Sequence, residues 1–235
     1  MRRLIALLIL TIAAPAYSRA TQELTSPPPG TTLPVTINRT LKPHHLQPGQ
    51  PISVKLAQIV PVSANVDLPQ GAKLEGRIVQ VSDSSISILF DHLSWKGSTI
   101  PVHVRLVAAA GMMEVYETRL ALSGPDRGTA NQNDWTTRQV GGDQIFLQGG
   151  SGTVYDRYSQ PVGYANYTGV YADPSASGGL PRAMGPFSTT ATGLHGFPEF
   201  SIASPGGADI PITLASTKPN WQIRNGSALL LEVVR

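Results

Sequence analysis

The chain has 235 residues, 41% of them hydrophobic and 14% charged, and its formal net charge is +3. That length suffices for one ordinary domain or two small ones. The 23 glycines and 20 prolines make up about 18% of the chain, below the roughly 25 to 30% of disordered sequences, so we expect a fold with many turns. Because the chain has no cysteine, a disulfide framework, a thiolate metal site and a cysteine nucleophile are excluded.

Residues 1–20 have the layout of a secretory signal peptide. Arg2 and Arg3 precede an apolar run over residues 4–14, and small residues suited to cleavage follow. The run is shorter than the roughly 20 residues that span a bilayer, so we predict cleavage and export to the periplasm or the exterior rather than an integral membrane protein. Cleavage after Ala20 would remove three of the 18 basic residues and leave them in balance with the 15 acidic ones. No basic run remains to bind phosphates, so we exclude nucleic acid as a partner.

The mature chain divides into four segments by composition. Residues 21–34 are rich in proline, which predicts an extended tether. Short runs of alternating apolar residues fill 35–123 and return in 193–235, as in half-buried antiparallel strands. Between them, residues 124–192 are rich in glycine and tyrosine and poor in aliphatic residues. We predict an all-β fold, a single barrel-like or sandwich-like domain whose last strand closes the sheet begun near residue 33, with no helix beyond the signal peptide.

Three stretches show the alternation most clearly. Residues 72–80 and 85–91 each place apolar side chains on one face and polar ones on the other. Residues 99–106 predict a further strand, in which Pro101 marks the strand start or a sheet edge because it has no N–H to donate.

The segment 124–192 predicts a long loop, in part disordered. Its tyrosines could form a platform on which sugar rings stack, with nearby amides and carboxylates binding hydroxyls. The alternative, which we favour, is that the rings fasten the loop to the barrel. The candidate binding residues are Tyr155, Tyr158, Tyr164, Tyr167 and Tyr171.

Several stretches carry a family resemblance: Thr40–Leu41, Leu46–Pro51, Leu68–Gly76, Ile88–Asp91, Gly97–Val102, Gly193–Gly196 and Asn225–Leu231. Together they resemble a family of uncharacterised secreted bacterial proteins. More remotely, a proline-glycine turn, a strand, a hairpin, a glycine-rich interruption and a final apolar strand follow one another in an order similar to the barrel of TrbI-like components of type IV secretion channels. The nearer resemblance implies a β-rich fold and no known activity.

No sequence motif predicts catalysis. His44 and His45 are adjacent, so on a strand they would point to opposite faces and chelate a metal poorly; we predict no metal site and no cofactor. A hydrolase remains an alternative if three of four residues meet in one cleft. Those four are Asp91, His92, His103 and His195.

The pattern therefore favours a non-catalytic, exported β module of the cell envelope with a structural or protein-docking role, whose partner is an envelope protein. The alternatives are a glycan-binding module that takes a polysaccharide on its tyrosines, and a hydrolase whose site forms only in the folded chain.

Overall fold

The structure is a computed structural model that describes residues 26–120, 122, 135–174 and 179–234. These residues are almost entirely β-structure, which confirms the predicted fold class. The signal peptide and residues 21–25 of the tether lie outside the described residues. Among the residues described, no helix is long and apolar enough to cross a membrane.

Both helices and most of the strands are short. A 3-10 helix spans Pro43–His45 and the helix α1 spans Met112–Glu117, so the expectation of no helix beyond the signal peptide was wrong; both are too short to show a helical period in the sequence. The strands are β1 (Thr32–Ile37), β2 (Pro51–Leu56), β3 (Val60–Ser63), β4 (Val66–Leu68), β5 (Lys73–Ser82), β6 (Ser85–Trp95), β7 (Ser98–Pro101), β8 (Val104–Ala110), β9 (Trp135–Arg138), β10 (Gln144–Gln148), β11 (Ser151–Tyr155), β12 (Pro161–Asn166), β13 (Gly169–Ala172), β14 (Arg182–Ala183), β15 (Gly193–His195), β16 (Phe200–Gly207), β17 (Ile210–Ser216) and β18 (Ala228–Val233).

Eight antiparallel strands close into a barrel in the order β1, β2, β5, β6, β17, β16, β8 and β18. The closing strand β18 pairs with β1 on one side and with β8 on the other, so that Leu229 lies opposite both Val35 and Ala109. Two blocks about 190 residues apart in the chain thus share one sheet. Closure leaves these strands without open edges, the arrangement that protects β proteins from edge-to-edge aggregation.

The barrel is filled by its own side chains. Ile86, Ile88 and Phe90 of β6 point inward and are buried, as their alternation predicts, and so are Leu74 and Ile78 of β5. The void that remains inside is about 20 Å³ and is lined entirely by apolar residues. It holds no more than about one water molecule, so the barrel is a packed scaffold rather than a container.

Two details of the front half differ from expectation. The predicted strand 99–106 is two strands, because β7 ends at Pro101 on the edge of β6 whereas β8 begins at Val104 and turns toward β18. The predicted tether 21–34 is shorter than expected, because β1 begins at Thr32 and the Gly30 N–H already donates to Val233 O over 2.8 Å.

The segment 124–192 also differs from the predicted loop. Its described part forms a six-stranded antiparallel meander, β9 to β14, followed by β15; residues 123–134 and 175–178 lie outside the described residues. Glycines inside the strands obscured this pattern. A Cβ at Gly152 would lie 2.0 Å from Phe146 O, and one at Gly163 would lie 2.1 Å from Tyr171 O. These glycines therefore let neighbouring strands approach closely, although isolated glycines usually weaken a strand.

The meander packs against small residues on the outside of the barrel. Ala108 and Ala110 of β8 and Ala228 of β18 pack in one cluster with Met184 and Phe187, which follow β14. A buried amide adds a polar anchor, since Gln58 reaches from the loop after β2 to the backbone of the meander. The barrel thus fixes the position of one face of the meander and leaves the other face toward solvent.

Candidate functional site

The candidate site is an open groove on the solvent face of the meander, which we call the aromatic groove. Phe146 on β10 lies opposite Thr153 on β11, and Thr153 lies opposite Tyr164 on β12. The two rings therefore stand on either side of a threonine. Phe146 is 49% exposed and Tyr164 is 37% exposed, and the groove has a volume of about 430 Å³. Two accessible aromatic rings on a rigid sheet thus bound a groove that a small ligand can enter.

Alternation along the strands explains why these rings are exposed. The neighbours of Phe146 on β10, Ile145 and Leu147, belong to a small core on the opposite face of the sheet, together with Val154 and Ala165. The same alternation that buries these residues directs Phe146 to the solvent side.

Each ring of the groove is supported by a second ring. Phe146 meets Tyr155 edge to face, with ring centroids 5.3 Å apart and planes at 89°, and Tyr164 stacks on Tyr171 at 5.2 Å and 27°. Both geometries are favourable for aromatic pairs. Tyr171 is itself held, because its hydroxyl donates to Ile59 O over 3.0 Å. The walls of the groove are therefore positioned before any ligand arrives.

Polar side chains complete the lining of the aromatic groove. Gln148, Ser151 and Asn166 line it beside Thr153. Asn166 Oδ1 accepts the Thr168 N–H over 2.9 Å, which fixes the amide, while its nitrogen has no hydrogen-bond partner among the residues that the structure describes. The groove thus offers an oriented amide donor, a second amide and two hydroxyls.

Burial, and to a smaller extent Asp173 and Asp67, raise the pKa of Tyr164 above its ordinary value. Burial likewise raises the pKa of Tyr171, and Tyr164 and Asp67 add to that effect while the hydrogen bond with Thr168 opposes it. Both phenols consequently stay protonated at neutral pH and can donate hydrogen bonds.

The five tyrosines predicted as a platform are not one row. Tyr171 is 3% exposed and supports Tyr164 from behind, so it presents no ring to solvent. Tyr158 and Tyr167 occupy the turns before and after β12, roughly 20 Å apart at about 3.3 Å per strand residue. Tyr155 touches the groove only through Phe146. Of the five, Tyr164 alone lines the groove directly.

Sequence reasoning missed Phe146. Its signal was present, because Gln144, Phe146 and Gln148 alternate with Ile145 and Leu147, which puts an aromatic ring on the polar face of a strand. An aromatic residue on a wet face is the unusual feature that could have been noticed.

Among the polar residues weighed for hydrolysis, His103 lies near Asp91 along the backbone, because the Val102 N–H donates to Asp91 O over 3.0 Å, but its side chain pairs elsewhere. Asp91 accepts hydrogen bonds from Arg77 over 2.7 Å and contacts His92 Nδ1 at 2.6 Å. His103 lies beside Asp209 at 3.8 Å. His195 is in register with Ala110 at the far end of β8, which puts it about 23 Å from His103 at the rise of a strand. Only two of the four candidates are thus in contact.

His44 lies 3.9 Å from Asp83 and also contacts Asn220. In the part of the chain that the structure describes, no group of three His, Asp or Glu side chains is placed to hold a metal ion.

A larger groove, of about 710 Å³, lies between the N-terminal residues 28–32 and residues 179–183. Six prolines are among its lining residues, and its charged residues are Asp173 and Arg182. It has no aromatic ring, so it lacks the stacking surface that distinguishes the aromatic groove.

No protein family, curated protein or solved structure matches the chain. The resemblance to secreted bacterial β proteins and to the TrbI-like barrel therefore stays a prediction.

Proposed function

We propose that the protein is a non-catalytic, exported β module of the cell envelope that binds a glycan in the aromatic groove. The observation that carries the proposal is the row Phe146, Thr153 and Tyr164 across three adjacent strands. The packed barrel serves as the scaffold that holds the meander and its groove in position.

The spacing of the row suits one sugar ring. Neighbouring strands lie about 4.8 Å apart, and Phe146 and Tyr164 are two strands apart, so their Cα atoms lie about 10 Å from each other. Carbon atoms in contact lie about 3.5 to 4 Å apart, so a ring between two aromatic faces needs about 7 to 8 Å. The threonine between them is short enough to leave this gap open. A pyranose can therefore place its C–H faces against both aromatic walls.

The polar lining suits hydroxyl groups. The amides of Gln148 and Asn166 can donate to and accept from neighbouring hydroxyls of a sugar, and Ser151 adds a hydroxyl at the rim. Since the Asn166 amide is already oriented by Thr168, little side-chain entropy is lost on binding, which favours affinity.

Affinity electrophoresis through gels that contain cell-wall or plant polysaccharides tests the proposal. We expect the mature chain to be retarded in at least one gel, and Phe146→Ala and Tyr164→Ala each to weaken the retardation at least about tenfold, the equivalent of about 1.4 kcal/mol. Tyr158→Ala is the matched control, because Tyr158 is 71% exposed and lies outside the groove.

A conservative variant separates stacking from folding. Tyr164→Phe keeps the ring and its stack on Tyr171, so it should retain most of the binding, while circular dichroism checks that Tyr164→Ala is folded. A mature chain that is unretarded in every gel, or a control that loses retardation as strongly as the groove variants, would contradict the proposal.

The export step is tested separately. The signal peptide 1–20 directs the chain across the membrane, and the mature protein then begins near residue 21. Expressed in full in a bacterium, the protein should be released by osmotic shock or found in the medium, with an intact mass that corresponds to loss of the N-terminal segment. A full-length cytoplasmic product would refute export.

Docking to an envelope protein is the second candidate, and one feature of α1 favours it. Met113 and Tyr116 lie one turn apart on α1 and are 55% and 52% exposed, and Leu120 in the turn after the helix is 46% exposed, while Val115 packs inward. Large apolar side chains exposed on one short segment mark many interaction surfaces. A photo-crosslinking residue at position 116 should form one adduct of defined mass with an envelope protein, whereas the same residue at position 158 should not. Equal labelling at both positions would reject a specific partner.

A further inference from the structure

A second pocket lies at one mouth of the barrel, far in sequence from the aromatic groove. It has a volume of about 210 Å³ and is formed where β8 runs into α1, where the chain enters β16 and where it enters β18. We call it the mouth pocket. Barrel mouths are frequent sites of small-molecule binding because strand ends and loops converge there on a rigid frame.

A buried hydroxyl beside this pocket has no hydrogen-bond partner in the part of the chain that the structure describes. Ser227 is completely buried and lines the mouth pocket, and its Oγ has no partner among the described residues. Ser227 precedes Leu229 and Leu231 by two and four positions, and both leucines lie in the barrel core. Alternation therefore turns the hydroxyl toward the barrel end where the pocket opens. Buried polar groups are nearly always satisfied, so this hydroxyl beside the pocket has capacity for one further partner, from a ligand or a water.

Three charged side chains line the same pocket. They are Glu114, Glu199 and Arg224, and none of them forms an ion pair within the part of the chain that the structure describes. Glu114 is held against the backbone, because a Cβ at Gly196 would lie 2.6 Å from its Cγ. The pocket therefore brings together two carboxylates and one guanidinium with capacity for further partners.

We propose that the mouth pocket binds a free α-amino acid. The ammonium group of the amino acid would pair with Glu114 and Glu199. Its carboxylate would accept hydrogen bonds from the guanidinium of Arg224 and from the hydroxyl of Ser227. Phe197 and Met112, which also line the pocket, offer apolar contact to the side chain. A zwitterion satisfies both signs of charge at once, which neither a simple cation nor a simple anion does. The volume is about half that of the aromatic groove, which suits one amino acid better than an oligosaccharide.

Chemical-shift titration of the isotope-labelled mature protein with the proteinogenic amino acids tests the proposal. We expect at least one amino acid to give saturable shifts below about 10 mM, the range of weak but specific sites, at the backbone amides of residues 111–114, 196, 197, 199 and 224–227. Glu199→Gln and Arg224→Gln should each weaken binding at least about tenfold. Glu117→Gln is the matched control, because Glu117 lies on the exposed side of α1 and does not line the pocket.

Amino acids with a blocked carboxylate or a blocked ammonium group test which pocket residue binds each of these groups. The methyl ester of the bound amino acid should bind more weakly and should be insensitive to Arg224→Gln, while the N-acetyl form should be insensitive to Glu199→Gln. Ser227→Ala should bind more weakly and yet unfold at the same or a higher urea concentration, because it removes a hydroxyl that is unpaired in the free protein. The proposal is overturned if no amino acid gives saturable shifts, or if Glu117→Gln weakens binding as much as the pocket variants do.

Discussion

The buried amide of Gln58 is the contact through which the barrel most directly controls the position of the meander. Gln58 is 4% exposed. Its Nε2 donates to Val170 O over 2.9 Å, and its Oε1 accepts the N–H groups of Val170 over 3.0 Å and of Gly185 over 2.9 Å. The amide is so closely enclosed that a Cβ at Gly169 would lie 2.4 Å from its Cδ. One side chain therefore satisfies three backbone groups of another layer.

We predict that Gln58→Ala lowers the free energy of unfolding by about 3 kcal/mol. Each lost hydrogen bond accounts for about 1 kcal/mol, and the backbone groups left behind are only partly able to reach water. For a chain of this size, that loss corresponds to a fall in Tm of about 6 to 12 °C. Gln58→Glu should be at least as harmful, because it replaces the amide donor with a carboxylate oxygen that faces Val170 O.

Urea unfolding followed by circular dichroism measures the change, and amide hydrogen exchange locates it. The Val170 and Gly185 N–H groups should lose protection in Gln58→Ala before the strands of the barrel do. Gln70→Ala is the control, since Gln70 is an exposed glutamine whose Nε2 makes one hydrogen bond, to Ala57 O over 2.9 Å, and its loss should cost less than about 0.5 kcal/mol. A Gln58→Ala protein as stable as the control, with unchanged exchange at Val170 and Gly185, would refute the assignment of this amide as the anchor.

Three further predictions concern the barrel and its contacts. Gly76→Ala should destabilise the protein by about 1 to 3 kcal/mol in urea unfolding, because its Cβ would lie 2.0 Å from Leu89 O. Gly207→Ala is the control and should have a small effect, because its Cβ would meet only side-chain atoms, at 3.7 Å or more. Leu231→Ala removes a fully buried side chain and should cost about 2 to 5 kcal/mol by the same assay; a cost below about 1 kcal/mol would contradict closure by β18. Burial raises the pKa of Tyr171 above its ordinary 10.0, so the contribution of this phenol to stability is complete below pH 10 and is lost as the pH rises through the raised pKa. Tyr171→Phe should therefore reduce the fall in unfolding free energy at alkaline pH. An unchanged dependence of the unfolding free energy on pH would count against the raised pKa.

The strands of the barrel were largely predictable because alternation is a local signal. Residues 85–91 place Ile86, Ile88 and Phe90 together whatever the rest of the chain does, since side chains alternate with a period of two. The same holds for the division between buried and exposed faces in β5. Prolines and glycines marked the turns for a similar local reason.

The meander was not predictable from the same signals. Gly152 and Gly163 interrupt the alternation, and the reason for their presence is the carbonyl of a neighbouring strand 2.0 and 2.1 Å from where a Cβ would stand. That neighbour is known only when the pairing is known. Tyrosines close together in sequence were likewise separated by strand direction, so that Tyr158 and Tyr167 lie at opposite ends of β12.

The amino-acid sequence by itself determined the β class, the apolar side of each well-patterned strand and the places where the chain turns, because these depend on neighbours a few residues away. Only the tertiary structure decided that Val35 meets Leu229, that Phe146 and Tyr164 stand across one threonine, and that Ser227 lies at a barrel mouth beside Glu199 and Arg224. Each of these depends on which distant strands pair and in what register. Pairing and register are set by the packing of the whole chain, and no short stretch of sequence contains them.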